Sequence, residues 1–383
     1  MKRFRVSTLV FGVAFLILSG WSGLQAMAAD PIKIGAIYPL TGSVAYNGQS
    51  KQYGAEIAQE EINAKGGILG RPIQLVVEDG QCKPADSVNA AEKLIVKDKV
   101  PAIAGAFCSG ATAAVIPVIE RYKIPFVSGV SSNPALTAER KEFFFRACPH
   151  EGMYTPAMCS LMVEKMKAKN LAFLAVNDDW GRGTTKTFTT GVETAGGKMV
   201  AIEYFEHGET NFAPLLTKIK GLTPDGIFVV AETQDGAMLM RQYKEMGLKA
   251  MVFGVGSLAT DTFAKLAGPA SEGIYVMAPY VPSVPGKRNE DFVKKYHARA
   301  KEDPDKYSLA GYDVVYIIVQ AVDRAKSTDP SKIREALERT NYDGVVSKYD
   351  FDNLHQTHTD LFLVQMKKGK PVFMDRISTQ GMK

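Results

Sequence analysis

Short, continuous apolar runs alternate with longer stretches of helical spacing along most of the chain. Ile32 to Pro39, Ile73 to Asp79, Ala102 to Ala106 and Pro125 to Ser128 each read as a short buried strand. Between them, Gln52 to Lys65 carries Tyr53, Ile57 and Ile62 on one helical face, and Ala85 to Val96 and Ala111 to Tyr122 predict two more helices. Gly66, Gly67 and Gly70 mark the exit of the first helix as cap and turn glycines. The alternation then restarts. Helices are expected over Glu151 to Lys167, Thr184 to Ala195, Phe212 to Ile219 and Gly236 to Met246. The strands of this half are Leu171 to Val176, Met199 to Tyr204, Gly226 to Ala231 and Met251 to Gly254. Tyr280 to Gly286, with two prolines and a glycine, reads as a break. Beyond it come helices near Asn289 to Lys301, Ser308 to Ala325 and Lys332 to Arg339, then strands at Leu361 to Met366 and Pro371 to Ile377. Apolar strands separated by helices imply parallel sheets covered on both faces. The expected fold class is α/β, with two Rossmann-like, doubly wound lobes and a C-terminal third shared between them.

Composition agrees with a folded chain of two domains. The 383 residues are 46% hydrophobic and 23% charged, with 34 Gly and 19 Pro, which excludes disordered, collagen-like and coiled-coil chains. The 46 Lys and Arg exceed the 41 Asp and Glu by a net of +5, scattered along the chain. No basic stripe marks a nucleic-acid footprint, so no nucleic-acid partner is expected.

The N-terminus sets the compartment. Lys2, Arg3 and Arg5 precede the apolar run Leu9 to Leu18, and Ala26-Met27-Ala28 follows as a small-x-small cleavage pattern. A spanning helix needs about 20 apolar residues, and this run is much shorter. A signal peptide over 1–28, cleaved after Ala28, is expected, with an exported, periplasmic product. Cysteines pair in an oxidising compartment. Cys82 and Cys108 each follow a predicted strand, where adjacent parallel strands would end side by side, and a disulfide between them is expected; Cys148 and Cys159 are close in sequence, and their pairing stays open. No CxxC occurs, and His355-x-x-His358 lies in a polar loop, so no metal is expected.

In open parallel sheets, ligands sit beyond the carboxyl ends of the strands. In the first half those positions are Thr41 to Gly48, which includes Tyr46 and Asn47, then Cys108 to Thr112 and Val130 to Asn133. In the second they are Asn177 to Gly183, Glu232 to Asp235 and Val255 to Ser257. Ser109 and Ser132 sit where helices begin, and free N–H groups with a serine hydroxyl suit a carboxylate or other anion. Simple helix capping explains each serine equally well. Enzyme signatures are missing: there is no complete G-x-G-x-x-G, no phosphate-binding G-x-x-x-x-G-K-[ST] and no G-x-S-x-G elbow. His150, His207 and His297 stand singly without a recognisable acidic partner, and Asp178-Asp179 reads as a solvated loop. Binding, not catalysis, is expected, and no cofactor.

These residues resemble a known family. IKIGAIYPLTGSVAYNGQSKQYGAEIAQEEINAKGGILGRPIQLVVEDGQCKP, CSGATAAVIPVIERYKIPFVSGVSSNPALT, NDDWGRG and MRQYKEMGLKA look like the branched-chain-amino-acid-type, type I periplasmic binding proteins of ATP-driven importers. The resemblance spans essentially the whole chain after the signal peptide. It implies two lobes, 29–147 with 279–346 and 148–278 with 347–383. Three crossovers near Arg146 to His150, Met277 to Tyr280 and Val345 to Tyr349 form the hinge. It also implies a monomer that closes on a small ligand and delivers it to a membrane permease with its ATPases. Carried over by position, Ser109 and Ser132 would hold a ligand carboxylate, and the Val130 carbonyl would meet an ammonium. Phe107 and Ser131 would line that wall, Trp180 would cover the ligand from the second lobe, and Tyr307 would supply a pocket aromatic. The Cys82–Cys108 disulfide matches the family pattern. One departure stands out: where amino-acid binders carry an acid for the ammonium, this chain has Val255-Gly256-Ser257, and Glu232 is the nearest replacement. The ligand class therefore stays open between an amino acid, branched-chain or related, and another small carboxylate such as an aromatic acid, or an amide.

Overall fold

The computed structural model describes residues 30–379. The expected signal peptide lies outside them. The chain opens with β1 (Ile32–Tyr38), α1 (Ala45–Ala64), β2 (Ile73–Asp79) and α2 (Pro84–Glu92). Next come β3 (Ile103–Ala104), α3 (Ser109–Tyr122), β4 (Phe126–Ser128) and β5 (Phe144–Arg146). The second half runs α4 (Glu151–Cys159), β6 (Asn170–Val176), α5 (Asp179–Thr194), β7 (Lys198–Phe205), α6 (Ala213–Leu222) and β8 (Gly226–Val230). It continues through α7 (Thr233–Glu245), β9 (Met251–Val255), α8 (Asp261–Ala267) and β10 (Tyr275–Ala278). Three helices follow, α9 (Lys287–Ala300), α10 (Lys306–Ala325) and α11 (Pro330–Glu338). The paired β11 (Tyr342–Asp343) and β12 (Lys348–Tyr349) precede the final hairpin of β13 (Leu361–Lys367) and β14 (Lys370–Ile377).

Two sheets organise these elements, in the order β2-β1-β3-β4-β5 and β14-β13-β10-β9-β8-β6-β7. The first is parallel throughout. The second is parallel from β7 to β10 and antiparallel at the β13–β14 edge. Alternation along β1 sends Ile34, Ala36 and Tyr38 into one core with α1, α10 and α11, and Ile37 into another with α2 and α3. A larger core surrounds the second sheet. The chain leaves the first sheet after Arg146, returns after Ala278 to place α10 and α11 on the first core, and reaches the second sheet again at Leu361. Tyr349 still packs with the first core. The outgoing and final passages touch: Arg146 bridges to Gln356, and the Gln356 amide donates to the Cys148 carbonyl at 2.8 Å.

Several elements begin earlier than the sequence pattern suggests. Helix α1 starts at Ala45, so Tyr46 and Asn47 lie in its first turn and not in a loop. Helix α5 starts at Asp179, which places Trp180 in its first turn. Strands β5 and β10 and helix α8 were not expected. The Cys82–Cys108 disulfide is present, with Cα atoms 5.3 Å apart. Strands β2 and β3 are not neighbours, however; both pair with β1, and the disulfide joins their loops past its end. Cys148 and Cys159 are free and buried. They lie at opposite ends of α4, and a rise of 1.5 Å per residue carries them far beyond disulfide reach. Among the described residues no helix is long and apolar enough to cross a membrane, and no group of His, Cys, Asp and Glu could hold a metal ion.

Candidate functional site

Loops from both sheets converge on one cleft. One part of it, a first chamber, is lined by Phe107, Cys108 and Ser109 after β3 and by Val130, Ser131 and Ser132 after β4. Opposite stand Asp178 and Trp180 after β6, Glu232 after β8, and Lys306 and Tyr307 at the start of α10. A second chamber shares Val130, Ser132 and Lys306 and adds Glu151, Tyr154, Val255, Gly256 and Pro279 among others. Most of the residues expected from sequence thus meet at one place. Tyr46 and Asn47 line neither chamber: the Tyr46 hydroxyl donates to Glu302 at 3.0 Å, and Asn47 acts through Glu232.

The entry of α10 is held rigidly. Asp305 accepts from the backbone N–H groups of Tyr307 and Ser308, Ser308 caps back to Asp305, and Ser50 of α1 donates to the Asp305 carboxylate at 2.6 Å. Helices α1 and α10 also approach backbone to backbone. A Cβ at Gly54 would overlap the Ser308 carbonyl, and one at Gly311 the Lys51 carbonyl. Lys306 and Tyr307 are therefore presented from a fixed helix start.

On the first-lobe side, Ser109 opens α3, where unpaired N–H groups carry partial positive charge. Its Oγ accepts from the Asn133 N–H at 3.2 Å. The Ser131 hydroxyl is committed to the Phe107 carbonyl at 2.9 Å and is shared with Thr112 at 2.6 Å. Behind Phe107, the fully buried Lys51 donates to the Ala106 carbonyl at 3.0 Å and sits 4.7 Å from the Tyr38 ring centroid. Burial pulls its ammonium down to about 7.

Two buried carboxylates face the cleft. Glu232 Oε2 accepts from the Asn47 amide at 2.7 Å and the Tyr307 hydroxyl at 2.8 Å. Burial pushes this acid up, with Lys306 and Tyr307 acting the other way. Glu151, the first residue of α4, accepts at Oε1 from Ser132 Oγ and from Trp180 Nε1, each at 2.8 Å. Burial raises Glu151 as well, opposed by those two hydrogen bonds and by the charges of Lys306 and Arg146. Lys306 Nζ lies 4.8 Å from the Tyr307 ring centroid and 5.9 Å from that of Trp180, within cation–π range.

Glu151 and Lys306 did not stand out in the sequence. An acid opening a helix reads as a dipole complement, and a lysine beside Asp305 as surface charge. Asp178 is likewise no free loop residue: it caps α5 through the Gly181 N–H at 2.8 Å. His207 does have acidic partners, Asp178 at 3.2 Å and Asp235 at 3.3 Å. Burial lowers its pKa, but these two carboxylates outweigh that and push it up to about 10.

Comparison with known proteins supplies a context for this cleft. The sequence model of a family described as periplasmic binding protein matches residues 31–371. A leucine-, isoleucine-, valine-, threonine- and alanine-binding protein of Pseudomonas aeruginosa is 28% identical over 88% of this chain and 90% of its own length. A leucine binding protein of Thermotoga maritima superposes with a TM-score of 0.85 at 26% identity, over 91% of this chain and 99% of that one. The branched-chain amino acid transporter substrate binding protein of Streptococcus pneumoniae, solved with isoleucine, gives a TM-score of 0.84 at 28% identity, over 91% and 99%.

Proposed function

This chain belongs to the periplasmic binding protein family, and from that premise we propose that it is the solute-binding component of an ATP-driven importer. It closes on an amino acid, branched-chain or related, and delivers it to a membrane permease and its ATPases. The compartment is the periplasm, reached with the signal peptide over 1–28.

The observation that carries this reading is the two-sided cleft. One wall offers the N-terminus of α3 and the Ser109 hydroxyl, which suit a carboxylate. The facing wall offers Trp180 as a lid, with buried carboxylates at hand for an ammonium. An amino acid carries both charges. We take Val130, Phe107 and Tyr307 as the surrounding wall, and the passages around Arg146, Ala278 and Gln356 as the hinge about which the lobes close. Oligomerisation plays no part in this reading; the monomer is the working unit. The aromatic lining of Phe107, Trp180, Tyr307 and Tyr154 supports a second reading, in which the ligand is an aromatic acid.

A thermal-shift screen separates the two, because a ligand that binds the native state raises its melting temperature. The ligand-free protein is screened against amino acids, aromatic acids and amides. Amino acids alone raising the midpoint supports the first reading; aromatic acids alone raising it replaces the first with the second.

A further inference from the structure

We propose that Glu151 is the carboxylate that receives the cationic group of the ligand, and that Ser132 serves this cationic end of the cleft. The inference rests on the amino-acid reading above and assigns a residue to one pole of it.

Hydrogen-bond direction carries the argument. A serine hydroxyl has one proton to give. That of Ser132 goes to Glu151 Oε1 at 2.8 Å, so what Ser132 can still offer a ligand is lone pairs. It is placed to accept from an ammonium, not to donate to a carboxylate. Ser109 is the reverse case: its oxygen accepts from the Asn133 N–H, and its own proton is given to no acceptor among the described residues. The anionic end of the ligand therefore belongs at Ser109 and the start of α3.

Glu151 fits the cationic end on three counts. It is 4% exposed, and Oε1 takes both of its donors, Ser132 and Trp180, while Oε2 takes none among the described residues. That oxygen is not sealed away from the cleft that Glu151 lines, and a mostly buried carboxylate is stabilised by a cation placed against it. Second, Glu151 lines the chamber that also holds Val255 and Gly256, where the sequence supplies no acid of its own. A side chain from the start of α4 brings a carboxylate to the end of β9. Third, Lys306 borders both chambers and its charge favours the ionised form of Glu151, yet among the described residues it makes no direct ion pair with that carboxylate, which leaves Glu151 open to a cation from the ligand. Glu232 also keeps one oxygen without a donor, but it lines only the first chamber and has no bond to Ser132. Its two donors, Asn47 and Tyr307, come from α1 and α10, so Glu232 ties those helices to β8.

The test compares each ligand with its des-amino acid, which keeps the carboxylate and loses the ammonium. Calorimetry on the wild-type protein first selects the tightest binder among the twenty amino acids. That ligand and its des-amino acid are then titrated into wild type, Glu151→Gln, Glu151→Asp and Glu232→Gln. The glutamine at 151 can still accept from Ser132 and Trp180, so the local frame is kept while the charge is removed. Glu151→Gln is expected to lose roughly ten- to a hundredfold in affinity for the amino acid and nothing for the des-amino acid. Glu151→Asp is expected to keep the preference for the amino acid, and Glu232→Gln to move both probes in parallel. Equal losses for both probes at Glu151→Gln, no loss at all, or a vanished preference at Glu232→Gln instead would overturn the assignment. If no amino acid binds the wild type, the amino-acid reading itself has failed and this assignment falls with it.

Discussion

Ser132 and Trp180 donate to the same atom, Glu151 Oε1, each at 2.8 Å. Ser132 follows β4 of the first sheet and Trp180 follows β6 of the second, so one buried carboxylate joins the two walls of the cleft. Hydrogen bonds to a charged group contribute about 1.5–3 kcal/mol each. Trp180→Phe removes the indole N–H and keeps an aromatic lid. We expect it to weaken ligand binding by roughly tenfold or more and to enlarge the ligand-free molecule in small-angle scattering. Unchanged affinity and radius would show that the indole N–H does not help hold the walls together.

Closure on the ligand should be visible directly. A site divided between two walls binds fully only when both meet the ligand, so binding is coupled to closure. The radius of gyration is expected to fall at saturating amino acid. A radius that stays constant under saturation argues for a preformed, rigid cleft.

Ser109 stands at the anionic end, and its role does not depend on the ammonium. Ser109→Ala is expected to weaken the amino acid and its des-amino acid alike, by roughly ten- to a hundredfold. Calorimetric titration of both ligands checks this. A loss confined to the amino acid would place Ser109 at the wrong pole.

The disulfide closes a loop across 26 positions of sequence and anchors the segment that leads into α3. Loop-entropy arithmetic gives such a closure about 3 kcal/mol. Replacing both Cys82 and Cys108 by serine should lower the unfolding free energy by about that amount in denaturant titrations. A change within experimental scatter would mean that the bond constrains little.

Asp313 links stability to pH. It is buried in α10 and accepts from Tyr342 at 2.8 Å and Tyr349 at 2.9 Å. Burial pushes its carboxyl up to about 7, against those two hydrogen bonds. An unfolded aspartate titrates near 4, so the folded protein holds this proton more tightly. The stabilisation is complete below about pH 4 and is lost as pH rises through about 7. The melting temperature of ligand-free wild type should therefore carry a fall between about pH 4 and 7 from this group, and that of Asp313→Asn should fall less there. Parallel pH profiles for the two proteins would exclude Asp313 as the source.

Much of this architecture was legible in the order of residues. The run Ile34 to Tyr38 is apolar without interruption because both faces of β1 are covered there. The single face expected of Tyr53, Ile57 and Ile62 is in fact two: Tyr53 and Ile57 pack with Phe292 and Tyr296 of α9, while Ile62 joins Ala55 and Ala58 on the core of the first sheet, because nine residues of helix turn Ile62 away from Tyr53. Strands of two or three residues, such as β5, carry too few positions to show any period. The start of α5 was hidden because its first turn, Asp179-Trp180-Gly181, has no apolar repeat, and its hold comes from the Asp178 cap. Within the cleft, positions after strands β3, β4, β6 and β8 were readable, since topology alone directs them to one end of a sheet. Glu151 and Lys306 were not, because their importance comes from partners distant in sequence. Glu151 gains its meaning from Trp180, and Lys306 from the way α10 is seated against α1. Asn47 is likewise unremarkable until the fold brings it to Glu232.

The most direct test of the account is a calorimetric titration of the ligand-free protein with the amino acid that most raises its melting temperature. The account predicts saturable binding of one ligand per chain, with the des-amino acid binding at least roughly tenfold more weakly, because the cleft supplies a carboxylate for the ammonium. Equal or tighter binding of the des-amino acid, or saturation by aromatic acids with no response to any amino acid, would contradict it.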